Sequence, residues 1–174
     1  MRLSVAIWPP ATVINVLAAM DRPIAGVHWS KPEQWMVKLR PLGHVDEPMA
    51  VRLQAVLEAE LDGAPAVECV LGPATRRLAG QWLGAPVSGL DDLAATIFAV
   101  TEGLVPVTHP QKYQADVVLA RGQVPKELAG KPVSAKWLAE SVCLVADRSS
   151  PGKPRYYENL AVIPLTPLNG SATD

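Results

Sequence analysis

The sequence predicts an α+β domain, and three observations carry that expectation. Its apolar patterning reads in the order strand–helix–strand–helix–strands–helix–strands. Few of the helical stretches are long enough to serve as crossovers between parallel strands, so antiparallel pairing is expected. A chain of 174 residues suits one hydrophobic core, and its 49% apolar and 19% charged residues are ordinary for a folded domain.

Leu3–Trp8 alternates, with Leu3, Val5 and Ile7 on one face, and reads as the first strand. Pro9-Pro10 ends it and opens a helix whose apolar face is Val13, Ile14, Leu17 and Ala18. Val27–Trp29 is extended and leads through Lys31-Pro32-Glu33 to a strand over Trp35–Leu42, which Gly43 is expected to end. Asp46 is placed to cap a second helix carrying Met49, Leu53, Val56, Leu57 and Leu61 at helical spacing. Strands follow over Val67–Leu71 and Gln81–Pro86. Ser88 with Asp91 resembles a capping box for a third helix that buries Leu90, Leu93, Ile97 and Val100. Strands over Asp116–Arg121, Glu140–Val145 and Tyr157–Ile163 complete one domain over residues 1–165, and Thr166–Asp174 reads as a flexible tail.

Charge narrows the function. The formal net charge is −1, which argues against coating nucleic acid by bulk electrostatics. The distribution is uneven: residues 111–155 hold eight Lys/Arg against four Asp/Glu, a basic segment suited to a phosphate-bearing ligand or to a solvated face. No apolar stretch reaches the roughly 18 residues of a membrane span, and Leu3–Trp8 is short for a signal-peptide core. The expected compartment is the cytoplasm. Cys69 and Cys143 both lie in apolar settings and read as buried free thiols. His28, His44 and His109 lack ligand spacing, so no metal and no cofactor are expected. Each reads as a surface histidine, with His109 the nearest to a replacement catalytic group.

Two segments about 80 residues apart echo each other: Met36-Val37-Lys38-Leu39 and Asp116-Val117-Val118-Leu119. Alternation puts positions 36 and 38 on one strand face, and likewise 116 and 118. The longer run Trp29-Ser30-Lys31-Pro32-Glu33-Gln34-Trp35-Met36-Val37-Lys38-Leu39-Arg40-Pro41-Leu42-Gly43 resembles the first signature block of the 2H phosphoesterases. Within them it is most similar to the LigT-like bacterial branch, the 2'-5' RNA ligases or RNA 2',3'-cyclic phosphodiesterases. Tyr113-Gln114-Ala115-Asp116-Val117-Val118-Leu119-Ala120-Arg121 resembles the second block. With the opening strand and the closing Arg155-Tyr156-Tyr157 to Leu165 region, the resemblance spans about residues 2–165. It implies a two-lobed LigT-like 2H phosphoesterase fold, with antiparallel sheets flanking a central cleft.

In that family each motif supplies one His and one Thr or Ser, the histidines acting as general base and general acid across a phosphodiester or cyclic phosphate. Here the His positions hold Met36 and Asp116, and the hydroxyl positions hold Lys38 and Val118. Methionine does not titrate, and valine offers no donor. General acid–base catalysis contributes roughly 10²–10⁴ per group, so losing both groups predicts that the family reaction is absent or very slow. Alternation puts Lys38 and Arg40 on the face of Met36 as candidate ligand-binding cations, joined by Tyr113, Asp116 and Arg121. Asp116 is expected to pair with Lys38 across the cleft. Trp29 and Trp35 read as packing residues; Tyr113 reads as packing, with stacking on a base the competing role.

The residues leave three readings open. The first is a pseudoenzyme, a LigT-like protein whose cleft binds a nucleotide, an RNA end or another phosphate-bearing ligand. The second is an active RNA 2',3'-cyclic phosphodiesterase using non-standard residues. The third is a non-catalytic module for a protein partner. A monomer is favoured, and no membrane association is expected.

Overall fold

Leu3, Val5 and Ile7 of β1 (Arg2–Ile7) are at most 1% exposed, and they set the inner face of the first sheet. The structure is a computed structural model and describes residues 1–22, 26–108 and 110–167. β1 is flanked by β3 (Val37–His44) and β9 (Ser141–Asp147), and β10 (Tyr157–Pro164) adds to β9. The resulting order is β10-β9-β1-β3, antiparallel throughout. The second sheet runs β2 (His28–Trp29), β7 (Ala115–Arg121), β6 (Leu83–Ser88), β4 (Val67–Leu71) and β8 (Ala135–Ala139). A two-residue strand, β5 (Arg76–Arg77), pairs with β6 off that path.

Three helices cover these sheets. α1 (Ala11–Ala18) starts after Pro10, buries Val13 and Leu17, and touches β8. α2 (Glu47–Leu61) is capped by Asp46, whose carboxylate accepts the Met49 amide at 2.9 Å. Its buried stripe is Ala50, Leu53, Leu57 and Leu61, turned toward β10 and α3. α3 (Asp91–Thr101) buries Leu93, Ala94, Ile97 and Thr101 and packs on β3. The expected capping box at its start does not form. Ser88 ends β6 instead, with its hydroxyl 3.5 Å from the Val70 carbonyl, and Asp91 and Asp92 meet the helix dipole by charge alone. One continuous core joins the inner faces of both sheets, including Leu39, Leu53, Val117 and Leu144. Full burial of each such side chain contributes about 1.5–3 kcal/mol.

The α+β reading holds, with two lobes, and the differences are local. β3 runs two residues beyond its expected end, because Gly43 continues the ladder opposite Leu3 at φ +72° instead of ending it. β5 and β8 were not anticipated; both are short and take their pairing from β6 and β4. Thr166, assigned by sequence to the tail, bridges Pro65: its amide donates to the Ala64 carbonyl at 2.7 Å and its carbonyl accepts the Ala66 amide at 2.7 Å. The remainder of the expected tail, from residue 168, lies outside the described residues. Cys69 and Cys143 are both buried free thiols, and burial raises the Cys69 pKa to about 11.

Gly89 turns the chain from β6 into α3 at φ +100°, and a Cβ there would sit 2.2 Å from the Glu68 carbonyl oxygen. Gly63 also has positive φ, at +76°, but faces open space. Gly89→Ala is therefore expected to destabilise the fold by about 2–3 kcal/mol, and Gly63→Ala by about 1 kcal/mol. Paired urea titrations measure the difference; equal costs would mean that the close approach of Gly89 to β4 does not constrain the turn.

Candidate functional site

The two echoing strands face one cleft, and each contains the same irregularity. In β3, Ala6 lies opposite Lys38 and Val5 opposite Arg40, so Leu39 is an extra residue in the ladder. In β7, Gly84 lies opposite Val118 and Leu83 opposite Ala120, so Leu119 is the extra residue. Each bulge falls on the Leu of the motif. A bulge advances the side-chain alternation by one position. Before it, Met36, Lys38, Asp116 and Val118 line a common cavity of about 210 Å³, while Val37, Leu39, Val117 and Leu119 are buried on the opposite faces. After it, Arg40 and Ala120 turn into the core and Arg121 turns back to the cleft.

Arg40 is thus not a cleft residue, contrary to the expectation from simple alternation. It is 2% exposed, its guanidinium donates to the Thr101 hydroxyl and the Val105 carbonyl, and its Cζ lies 5.0 Å from the Phe98 ring centroid. It anchors the end of α3 to β3. Tyr113 also lies outside the cleft lining. Its hydroxyl donates to the Lys38 carbonyl at 3.0 Å, its ring packs against the core, and burial pushes its pKa up. It faces a separate groove between Lys38–Gly43 and Val105–Gln114.

Asp116 does not pair with Lys38. Both of its oxygens are held by Arg76 of β5, at 2.9 Å from Nε and 2.8 Å from Nη2, and its side chain is only 10% exposed. The fork-on-carboxylate geometry satisfies Asp116 within its own sheet. Lys38 is consequently left among cations. A second cavity of about 180 Å³ opens on its other side, lined by Arg2 and Ser4 of β1, Val145 and Asp147 of β9, Arg155, Tyr157 and Trp82. The two cavities share Met36, Lys38, Arg121 and Tyr157.

Register explains this wall. Even positions of β1 oppose odd positions of β9, so Arg2 meets Asp147, Ser4 meets Val145 and Ala6 meets Cys143, all on the face away from the main core. Tyr157 joins the same row from β10. The result is electropositive. Burial lowers the Lys38 pKa first, then Arg2 and Arg121 lower it further, and Asp147 offsets this only in part. Asp147 stays below the usual carboxylate range: burial opposes its charge, but hydrogen bonds from Ser149 and the nearby Arg155 and Arg2 outweigh that. Arg121 donates to the Ser30 hydroxyl at 3.2 Å and its Cζ lies 5.1 Å from the Trp82 ring centroid. Among the described residues no carboxylate forms an ion pair with Arg2, Lys38, Arg121 or Arg155.

Of the residues expected to bind, Lys38, Asp116 and Arg121 converge here. Arg2, Asp147, Arg155 and Tyr157 were missed, although Arg2 shares the even phase of Ser4 and Ala6, a usable signal. His28 and His44 are exposed, and His109 lies outside the described residues. Trp29 and Trp35 pack over a void of about 20 Å³, too small for a ligand. No group of three or more metal-ligating side chains is found among the described residues, and no described helix is long and apolar enough to cross a membrane.

No protein-family model matches the chain, and no curated protein matches its sequence. Solved structures do resemble it. TT0787 of Thermus thermophilus superposes with a TM-score of 0.80 at 22% identity, covering 95% of this chain and 98% of that one. LigT of E. coli, solved with 3'-AMP, gives 0.75 at 19% identity over 95% and 98% of the two chains. The ns2 PDE domain of MHV gives 0.60 at 10% identity over 95% and 100%. With both motif strands facing one cleft, these likenesses give the chain the two-lobed α+β fold of the LigT-like 2H phosphoesterases.

Proposed function

We propose that this chain is a catalytically silent protein of the 2H phosphoesterase fold that binds a phosphate-bearing ligand, a nucleotide or an RNA end, in the cleft between its motif strands. The observation that carries the reading is the cluster of Arg2, Lys38, Arg121 and Arg155 around a cavity with one facing carboxylate left free of an ion pair, Asp147. Arginine and lysine placed this way attract and orient phosphate oxygens. The solved LigT structures with 3'-AMP, NADP+, ATP and phosphate support a nucleotide-sized cleft in this fold.

The same geometry argues against the hydrolytic reaction. Proton transfer across a cyclic phosphate needs a titratable group on each side of it. On the β3 side Met36 is 6% exposed and carries no proton, and Lys38, the titratable group there, is read as the charge that holds the anion. On the β7 side Asp116 has both oxygens engaged by Arg76, and Val118 cannot donate. The cleft therefore holds an anion without moving its protons. In this reading the protein works in the cytoplasm as a monomer that senses or sequesters its ligand.

Two outcomes are expected. Purified protein should bind 3'-AMP in calorimetry and leave 2',3'-cyclic nucleotides unhydrolysed relative to a protein-free control, with Lys38→Met weakening binding by roughly tenfold. Turnover that disappears in Asp116→Ala would instead establish an enzyme with non-standard residues, and absence of nucleotide binding would favour an interaction module. Second, Lys38 is held charged against its surroundings. Its lowered pKa carries a stability penalty that is fully present at neutral pH and is relieved as pH climbs toward the ordinary lysine value, about 10.4. Lys38→Met should raise the Tm of the ligand-free protein at pH 7 by roughly 1–3 °C, and the gain should shrink by pH 10. A lower Tm in that variant would mean that the cleft stabilises the lysine.

A further inference from the structure

The charge on the cleft wall is more specific than a general preference for phosphate. A 2',3'-cyclic phosphate or an internal diester carries one negative charge, whereas a terminal monoester carries close to two above its second pKa of about 6, and a diphosphate carries more. The groups facing the cleft from every side are Arg2, Lys38, Arg121, Arg155 and Asp147, together with the self-neutralised Arg76–Asp116 pair and the Tyr157 hydroxyl. The cations exceed the anions by three.

The excess is also lopsided. Arg2, Arg155 and Asp147 line only the cavity between β1, β3 and β9, and Arg121 and Lys38 stand at its boundary with the cavity between the motif strands. The cavity of about 210 Å³ along the line between the two motifs is walled instead by Gln34, Gln114, Leu78 and Val118, with Asp116 already satisfied. A ligand that put its charge on the motif line would leave Arg2 and Arg155 without a partner. The buried Arg121 Nε also has no hydrogen-bond partner among the described residues.

From this arrangement we infer that the ligand carries a phosphomonoester or pyrophosphate terminus, seated off the motif line in the cavity of Arg2, Lys38, Arg121 and Arg155. The less charged remainder of the ligand occupies the cavity of Gln34, Gln114, Leu78 and Val118. The inference deepens the binding reading above and depends on it. Arg155 reaches the site from the segment between β9 and β10, which is tied to the 32–34 turn by a Gln34 side-chain contact to the Arg155 carbonyl at 3.5 Å. Arg2 reaches it from the opening strand. Neither belongs to a motif block, and both are exposed enough to be replaced without disturbing the core.

The test compares ligands that differ in terminal charge. Calorimetry at pH 7.5 and fixed ionic strength would measure 2',3'-cyclic AMP, 3'-AMP and inorganic pyrophosphate against the full chain and against the Arg2→Ala/Arg155→Ala double variant. The expected order is pyrophosphate and 3'-AMP at least tenfold tighter than the cyclic nucleotide, with the gap falling below threefold in the double variant because the singly charged cyclic nucleotide loses least. A parallel thermal melt keeps the variant's fold in view. If it is unfolded, Arg155→Ala alone is read, with the same narrowing expected. Equal affinities for all three ligands, or a gap that survives the double variant, overturn the displaced polyanion site while leaving the binding reading intact. No binding of any of the three removes both. Tight pyrophosphate binding with weak 3'-AMP binding assigns the site to a diphosphate and not a monoester.

Discussion

The bulge at the motif leucine of each strand, Leu39 in β3 and Leu119 in β7, decides which side chains this protein presents to its cleft. Without the first bulge Arg40 would face the cavity; with it, the guanidinium is sealed beneath α3. Without the second, Arg121 would point into the core; with it, the side chain bridges both halves of the cleft. The extra residue is leucine in both strands and is buried in both, so packing pins each bulge where it is. The position of every cleft charge follows from that registration and from the parity of β1 and β9.

Given those positions, the electrostatics have a clear asymmetry. Asp116 is neutralised locally by Arg76, a partner on the same sheet, and not by the lysine across the cleft. That leaves the first sheet to contribute uncompensated positive charge through Arg2 and Lys38, with only Asp147 in opposition. Like charges held close cost stability unless something binds there. This uncompensated positive charge is what the proposed anion-binding reading rests on.

The sequence made most of this readable, and the gaps have physical causes. Alternation put Met36 with Lys38 and Asp116 with Val118 on shared strand faces, the resemblance set those faces across one cleft, and helical spacing found α2 through Leu53, Leu57 and Leu61. What alternation alone misses is a bulge, because a bulge is a property of pairing between distant strands; hence the misplacement of Arg40. The Arg76 partner was hidden because β5 is two residues long and owes its existence to β6. Arg155 lies in the basic segment noted from composition, but its arrival at the cleft depends on the turn between β9 and β10. Ser88 resembled a cap because its spacing to Asp91 was right, whereas the β6 ladder had already claimed it.

Lys38 sits in a field of excess positive charge, which on the proposed reading a bound anion balances. The most direct measurement is an NMR titration of the Lys38 side-chain amine, assigned by comparison with Lys38→Met, in the ligand-free protein and again with saturating pyrophosphate. A midpoint below the ordinary lysine value is expected without ligand, with a clear upward shift once pyrophosphate is bound. An ordinary or raised midpoint that pyrophosphate does not move would show that the cleft is already neutral, and would overturn the anion-binding reading.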